Sequence, residues 1–402
     1  MNPKNPKGII QLDNKNIKCI IFQIDNNNSE ILSTATVESR GIHNGVIVNI
    51  SKAADSIRLC ISDAEKKAKV FLKKINVVIE EPEFLCTKFS KHKKINGSKI
   101  HKEDIEFLLK EGKKQVTLND EKQTIIHIFN YNYVVDGKEF LEEPIDVYAD
   151  HLSHEMTFVT MPKNNLKNIS ETFVKCDIEI ERFISSTFSL AAELLNDKEL
   201  KYGSVLMDLD FEKISLGIFK HAALIHSFTF PIGINHIIKD ISKVLSLSFE
   251  ESKEIIIKFN FLFEKNHELF DENNYLKDFF FKDSKFRKIS KDLLLNVVKA
   301  RLDEIFEIVK KQIFISGLNL NSGANFFITG EGENLNNFDK NCSNFFQTNV
   351  KKKEINNEDN FIICLGALKI IVDGWETEAI PETFPKSARK LGFFTKFFKN
   401  LS

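Results

Sequence analysis

No stretch of the 402-residue chain approaches the roughly 18 consecutive apolar residues that a membrane span needs, so no helix is expected to cross a bilayer. Cysteine is scarce. Cys19, Cys60, Cys86, Cys176, Cys342 and Cys364 are scattered with no C-x-x-C pair, which argues against a structural zinc site and fits a reducing compartment. Neither sign of charge is in excess: Lys+Arg number 56 against 57 Asp+Glu, a formal charge of -1, which argues against a globally basic nucleic-acid binder. The opening Met-Asn-Pro-Lys-Asn-Pro-Lys lacks an apolar signal core, so a cytoplasmic protein is expected. Gly and Pro are few, 16 and 8, while Lys, Asn, Ile and Phe are abundant, a background bias without functional meaning. What is present suits a packed core, with 42% of residues hydrophobic and 28% charged. A single core seldom grows past about 250–300 residues, so two or more domains or subdomains are expected.

Strand and helix signals alternate at the start. Apolar, β-rich runs at 9–13 and 19–24 are joined by the polar turn Asn14-Lys15-Asn16. Residues 51–72 carry Ala54, Ile57, Ile61, Ala64, Ala68 and Leu72 on one helical face, and 77–80 reads as a strand. This is an α/β beginning. From 81 to 162 the texture becomes that of an inserted α+β module. It has a helix at 100–113, strands at 124–135 and 156–160, and a loop around Glu142-Glu143-Pro144. Residues 164–195 read as long helix. Strands at 205–208, 214–219 and 224–230 again place a turn after an Asp, a weak sign of internal duplication. Residues 237–314 read as largely helical. Late strands are expected at 326–329 and 361–365, then an apolar helix to about 372 and a proline-bearing linker at 376–386.

The clearest physical signal lies in the last segment. At 100° per residue Leu391, Phe393, Phe394, Phe397, Phe398 and Leu401 fall within an arc of roughly 160°. Arg389, Lys396 and Lys399 lie opposite, with Lys390 at the edge. A short basic helix of this kind suits a membrane interface, where the acyl boundary buries the rings and anionic head groups attract each lysine by about 1 kcal/mol. One such helix binds reversibly, so firm attachment needs several copies on a polymer. A partner groove, or docking on the protein's own core, are the competing readings.

Further motifs accompany the tail. Ser39-Arg40-Gly41-Ile42 leads into Asn44-Gly45-Val46-Ile47-Val48-Asn49-Ile50 and an Ala/Ser-rich helix. Tyr133-x-Val135-Asp136 is followed by Leu141-x-x-Pro144, Leu152 and the strand at 156–160. Pro231-Ile232-Gly233 precedes Lys239-Asp240-Ile241, and Arg301 follows Val298 at the start of an expected helix. Together the set resembles FtsA, the actin-like bacterial cell-division family, over nearly the whole chain. The resemblance implies an α/β, actin-like (ribonuclease H-like) two-lobe fold with a nucleotide cleft. It places the first lobe at 8–82 and 163–200, around an inserted partner-binding subdomain at 83–162. The second-lobe core falls at 201–245 and 300–364, with a helical subdomain at 246–299. The return to the first lobe with the linker falls at 365–385, and the membrane-targeting helix at 386–402. It further implies polymerisation at the cytoplasmic face of the inner membrane, at the division site. The partners implied are FtsZ, held by its C-terminal peptide, further copies of the chain in a filament, and late division proteins such as FtsN on the insert. Arg301 resembles the position that contacts the FtsZ peptide. Arg287, Lys288 and Lys291, with Lys299, form a basic neighbourhood suited to an acidic tail, against the bland reading of solvated helix charges.

The family binds ATP with Mg2+ through two glycine-rich hairpins and a later Gly-Gly turn, because glycines let backbone N–H groups cradle phosphates. Carboxylates at the strand ends hold magnesium through water. Here the first hairpin reads Asp13-Asn14-Lys15-Asn16-Ile17-Lys18, with Lys15 in place of the glycine. The second reads Asp208-Leu209-Asp210-Phe211-Glu212-Lys213, with Ser215 where the family has a second Asp. Its glycines are gone, and two added carboxylates repel a triphosphate. The third motif reads Thr329-Gly330-Glu331-Gly332-Glu333, and Glu254, with Lys258 one turn on, matches the adenosine-contacting helix. The nucleotide set carried over is Asp13, Lys15, Lys18, Asp208, Gly233, Glu254, Gly330 and Gly332. The expectation is weakened or lost ATP hydrolysis, with no catalytic residue assigned. Lys15 either contacts phosphate or pairs with Asp210 or Glu212 across an empty cleft.

His151-Leu152-Ser153-His154-Glu155 is not H-E-x-x-H and a strand follows it, so no metal site is assigned. The competing functions are an active actin-like ATPase and a PilM-like adaptor of pilus assembly. The Phe-rich basic tail and the segment 39–45 favour FtsA.

Overall fold

In the computed structural model, residues 6–25, 28–80, 82–285, 287–355 and 361–380 are described. The amphipathic segment at 386–402, with Arg389, Lys390, Leu391, Phe393, Phe394, Lys396, Phe397, Phe398, Lys399 and Leu401, lies outside them. The described residues divide into two units, 6–201 with 219–228 and 361–380, and 202–218 with 229–355.

The first unit begins with β1 (Lys7–Leu12), β2 (Asn16–Asp25) and β3 (Asn28–Glu38), followed by the short hairpin β4 (Ile42–His43) and β5 (Val46–Ile47), then α1 (Ile50–Ala68) and β6 (Lys74–Ile79). Next come β7 (Leu85–Lys99), α2 (Lys102–Asn119), β8 (Gln123–Val135), β9 (Lys138–Phe140) and β10 (Tyr148–Pro162). The chain continues through α3 (Lys163–Val174), β11 (Glu179–Ser185), α4 (Ser186–Leu194) and α5 (Asp197–Tyr202). Then come β12 (Ser204–Leu209), β13 (Ile214–Lys220), β14 (Ala223–Phe230), α6 (Ile234–Leu245), α7 (Phe249–Lys258), α8 (Lys291–Ser316), β15 (Asn325–Gly330), α9 (Phe338–Phe346) and β16 (Val350–Lys352), which make up the second unit except that residues 219–228, the end of β13 and most of β14, fall in the first. The first unit closes with α10 (Ile362–Asp373) and β17 (Glu378–Ala379).

In the first unit one sheet runs β11-β6-β1-β2-β3, parallel across β11, β6 and β1 and antiparallel onward. Strand alternation sends Ile10 and Leu12 to α1, whose Ala53, Ala54, Ile57, Cys60, Ile61 and Ala64 form its buried face. Gln11 faces the other way, its Oε1 3.8 Å from Cys364 Sγ on α10. The α1 helix starts at Asn49, whose side chain accepts from Lys52 N–H, and stops at Lys69 in the left-handed region (φ 55°). It is therefore shorter than the 51–72 periodicity suggests, yet Val70 and Leu72 still pack in the same core.

A second sheet, β17-β8-β10-β7, forms the insert, with α2 on one face. Ile105 and Leu108 pack with Tyr133, Val135 and Leu152, and Val116 packs with Ile128, Met156 and Phe158. Gly112 allows the helix this close: a Cβ there would stand 3.0 Å from Met156 and 3.1 Å from Phe158. A third sheet runs β14-β13-β12-β15-β16, parallel across β12, β15 and β16.

Several elements differ from the sequence expectation. Residues 164–195 are not one long helix, because β11 separates α3 from α4. Residues 361–365 are not a strand but open the helix α10, whose Gly366 abuts α4 so closely that a Cβ would stand 1.7 Å from Ser189 O. The linker expected at 376–386 begins as β17, paired with β8. Between α7 and α8 the chain is three short 3-10 turns rather than helix.

Candidate functional site

Asp13 follows β1 at the carboxyl end of the parallel strands, where α/β sheets place ligands. Its Oδ1 accepts from Asn14 N–H in its own turn at 2.6 Å. The turn is tied to the 39–45 segment: Asn14 Oδ1 accepts from Asn44 N–H at 3.1 Å, and Lys15 O accepts from Ser39 N–H at 3.1 Å. Gly45 must be glycine, since its φ is +77° and a Cβ would stand 1.6 Å from Glu80 O. Asp13, Lys15 and the Ser-Arg-Gly segment thus meet at one edge of the first unit, with Lys15 exposed and Lys18 half-buried on β2.

The second hairpin, between β12 and β13, gathers Asp208, Gly233, Gly330 and Gly332. Asp208 pairs in register with Thr329, and Gly330 (φ +74°) leaves no room for a Cβ, which would stand 2.4 Å from Asp208 Oδ1. Gly332 lies against Leu209, where a Cβ would approach to 2.9 Å. At Gly233 a Cβ would stand 2.4 Å from Asp210 O and 2.5 Å from Phe211 O. The start of α6 presses on the turn: Ile234 N–H donates to Asp210 O (3.2 Å), Asn235 N–H to Phe211 O (2.8 Å), and Asn235 Nδ2 to Glu212 Oε1 (2.7 Å). A helix N-terminus can present such donors to a phosphate. Here they serve the turn's own carbonyls and fix a carboxylate in it.

Glu254 stands apart from this turn by its partners. On α7 it pairs with Lys282, while the Lys258 ammonium lies over the Phe279 and Phe280 rings at 4.7 and 5.4 Å. Glu251, on the same helix, is the residue that sequence reasoning missed. Its buried carboxylate accepts from the backbone N–H of Ser248 (2.6 Å), Lys282 (2.6 Å), Asp283 (2.8 Å) and Ser284 (2.8 Å), and from the Ser284 hydroxyl. Burial opposes its charge, but these donors overcome that and hold the carboxyl at about 2. The capping-box spacing Ser248-x-x-Glu251 was the available signal.

Arg301 lies within α8, not at a helix start. Its Nε donates to Asp240 Oδ2 at 2.6 Å, its Nη2 to Asp240 Oδ1 at 3.1 Å, and its Nη1 to Glu304. Arg287 donates to Ser246 O, the Lys288 ammonium lies 5.3 Å over the Tyr275 ring, and that of Lys291 5.9 Å over Phe270. Lys291 opens α8 about 15 Å along the axis from Arg301 and on another face. The basic residues flank Arg301 in sequence but engage separate partners.

A buried charged group that the sequence did not reveal closes the first unit. His127 Nδ1–H donates to Glu378 Oε1 at 2.6 Å, its Nε2 accepts from Ser185 N–H at 3.0 Å, and Arg182 donates to both Glu378 oxygens. Both ring nitrogens are committed, so His127 is the neutral Nδ1–H tautomer, and burial pushes its pKa down despite Glu378. Burial opposes ionisation of Glu378, but Arg182 and His127 outweigh it and hold the carboxyl at about 2. Trp375 Nε1 and Thr377 Oγ1 both donate to Ala222 O, at 2.6 and 2.8 Å. Residues 375–379 therefore clip β8, β11 and the β13–β14 turn together.

A family model described as the SHS2 domain inserted in FtsA matches residues 85–160, the span from β7 to β10. The chain is FtsA-like. Cell division protein FtsA of Pseudomonas aeruginosa is 26% identical over 301 residues, 75% of this chain and 71% of that protein. FtsA of Bacillus subtilis is 24% identical over 333 residues, 80% of this chain and 72% of that protein. Among solved structures, a chain of the PilM-PilN type IV pilus biogenesis complex matches with a TM-score of 0.58 at 9% identity, covering 91% of this chain and 99% of that one. The FtsA-like chain therefore has the actin-like fold with the FtsA insert.

Proposed function

We propose that this FtsA-like, actin-fold cell-division protein is an adaptor at the cytoplasmic face of the inner membrane, at the division site. It forms filaments, tethers FtsZ through the FtsZ C-terminal peptide, and receives late division proteins such as FtsN on its insert. The observation that carries this reading is the FtsA-type insert at 85–160, set within a chain similar to FtsA on both sides of it. The segment 386–402 supplies the attachment to anionic lipid by its apolar and basic faces. Arg301 receives the FtsZ peptide. Asp240 holds the guanidinium in place, and the half-exposed Glu304 is the contact that an incoming carboxylate replaces.

ATP with Mg2+ is the ligand expected from the family, through Asp13, Lys15 and Lys18 in the first unit and Asp208, Gly233, Gly330 and Gly332 in the second. The second turn does not fit a tight triphosphate cradle: Glu212 is fixed in it, and the leading donors of α6 serve its carbonyls. We read the protein as a scaffold whose assembly is not coupled to ATP hydrolysis. One purified sample tests both parts. Nucleotide content is measured, and pelleting with anionic liposomes is compared for the full chain and for a chain truncated before Ser387. The expected result is little bound nucleotide and pelleting of the full chain alone. Near-stoichiometric ATP would overturn the scaffold reading. A full-length chain left in the supernatant would overturn the adaptor reading.

A further inference from the structure

The loop from α1 to β6 holds an aromatic ring that the core does not use. Residues 65–74 read Glu-Lys-Lys-Ala-Lys-Val-Phe-Leu-Lys-Lys, five lysines and one carboxylate around a single aromatic. Phe71 is 90% exposed, more than any other large hydrophobic side chain among the described residues. Its two neighbours point inward. Val70 and Leu72 pack in the core that α1 covers, and a Cβ on Gly8 of β1 would stand 2.5 Å from Leu72. The backbone is fixed as well. The α1 helix stops at Lys69 (φ 55°), Val70 N–H donates to Glu65 O at 3.2 Å, and Leu72 N–H donates to Glu65 Oε1 at 2.6 Å. Anchored neighbours on both sides therefore hold the Phe71 ring in water, where it adds nothing to the stability of the fold.

The charge around the ring is of one sign. Lys66, Lys69 and Lys73 are exposed. The nearby carboxylates are already engaged: Asp63 with Lys67 at 2.8 Å, Glu179 with Lys74 at 2.9 Å, Glu181 with Lys7 at 3.3 Å, and Glu65 with Leu72 N–H. The loop precedes β6, so it lies at the amino end of the parallel strands, the opposite end of the sheet from Asp13.

We infer that this loop is a second membrane contact, separate from the segment 386–402. Phe71 enters the acyl boundary of an anionic bilayer, and Lys66, Lys69 and Lys73 meet the head groups. A ring this exposed has almost no protein wall beside it. An acidic peptide would neutralise the lysines and leave most of the ring in water, whereas a bilayer surrounds it. Insertion orders nothing new, because the loop is already set. The tail alone decides where the chain is held; a rigid second contact also decides which end of the first unit faces the bilayer. The inference rests on the adaptor reading only for the presence of a membrane; its chemistry comes from the loop.

The test introduces an indole at position 71. The full chain carrying Phe71→Trp is mixed with vesicles of equal parts phosphatidylcholine and phosphatidylglycerol whose acyl chains are brominated. The parent chain, with Trp375 as its one tryptophan, sets the baseline. The added emission is expected to shift to the blue and to be quenched beyond the baseline, and to do neither with phosphatidylcholine alone. Pelleting of the full chain with unbrominated vesicles should need roughly fivefold more lipid after Phe71→Ser and after Lys66→Gln/Lys73→Gln, while Lys110→Gln/Lys114→Gln, the same charge change on α2, leaves it within about twofold. Phe71→Ser should unfold at the parent's urea midpoint, since the ring lies outside the core. An indole not quenched beyond the baseline, or unchanged pelleting of Phe71→Ser, would overturn the proposal. Equal loss in the two lysine double variants would also overturn it, in favour of general charge attraction. Saturable binding of labelled hexaglutamate that is lost with Phe71→Ser would overturn it in favour of an acidic peptide. The adaptor reading fails separately, when truncation before Ser387 leaves pelleting unchanged.

Discussion

Replacing Glu378 by Gln keeps the shape of a buried side chain and removes its charge. The neutral amide can no longer compensate Arg182, whose side chain is 14% exposed, and it turns an NH2 toward one of the groups that donate to it. Two routes give the magnitude. Breaking a buried ion pair by removing one partner costs about 3–5 kcal/mol. A carboxyl held at about 2 instead of 4.5 owes its charged form about 3 kcal/mol of favourable interaction. Trp375, the single tryptophan, reports on the site because Glu378 N–H bonds its carbonyl and Phe188 meets its ring edge-on at 4.9 Å. Urea unfolding followed by its fluorescence should shift down by about 1 M, for a slope near 3 kcal/mol per M. The pH dependence has a definite sign. The folded pKa of Glu378 is depressed, so its contribution is complete above about 4.5 and is lost as pH falls toward about 2. The variant should lose that part of the acid sensitivity. A Glu378→Gln chain that unfolds at the wild-type urea midpoint would refute the reasoning.

Other outcomes follow from the same structure. Glu251→Gln should destabilise the second unit by about 2 kcal/mol and remove an acid transition between about 4.5 and 2, read by hydrogen exchange at 282–284. His154 is buried against Tyr133 with neither ring nitrogen partnered among the described residues, and burial pushes its pKa to about 3. Its contribution is complete above 6.5 and lost as pH falls toward 3, so His154→Phe should make the insert more resistant to protease at pH 5 than the parent. Gly366→Ala should cost about 3 kcal/mol or prevent folding, since the new methyl meets Ser189 O; thermal unfolding measures it. Arg301→Gln should weaken FtsZ-peptide binding roughly tenfold without moving the Trp375 signal.

The sequence made some elements plain and hid others for physical reasons. The β1–β2 hairpin was readable because β-rich apolar runs flank a polar turn. Strand β7 was missed because its lysines mask a single apolar face, with Ile95 its one fully buried residue. Strand β11 was missed because Glu179, Glu181 and Arg182 interrupt its apolar residues, and it is recognisable only from its parallel pairing with β6. Residues 361–365 read equally well as a strand or a buried helix, because a short apolar run fits both. At the candidate site the motif residues were legible from resemblance, and the structure gathers Asp208, Gly233, Gly330 and Gly332 at one turn. Their packing roles were not legible, because they depend on which backbone atoms approach each glycine. The pairing of Arg301 with Asp240, 61 residues away, and the joining of His127, Arg182 and Glu378 are likewise long-range events with no local signal.

The most direct test of the adaptor account is co-sedimentation of FtsZ with anionic liposomes. FtsZ is mixed with liposomes alone, with the full chain, and with the chain truncated before Ser387. The account predicts that FtsZ enters the pellet only with the full chain, and does so without added ATP. FtsZ that stays in the supernatant with the full chain, or that pellets equally with the truncated one, would contradict it.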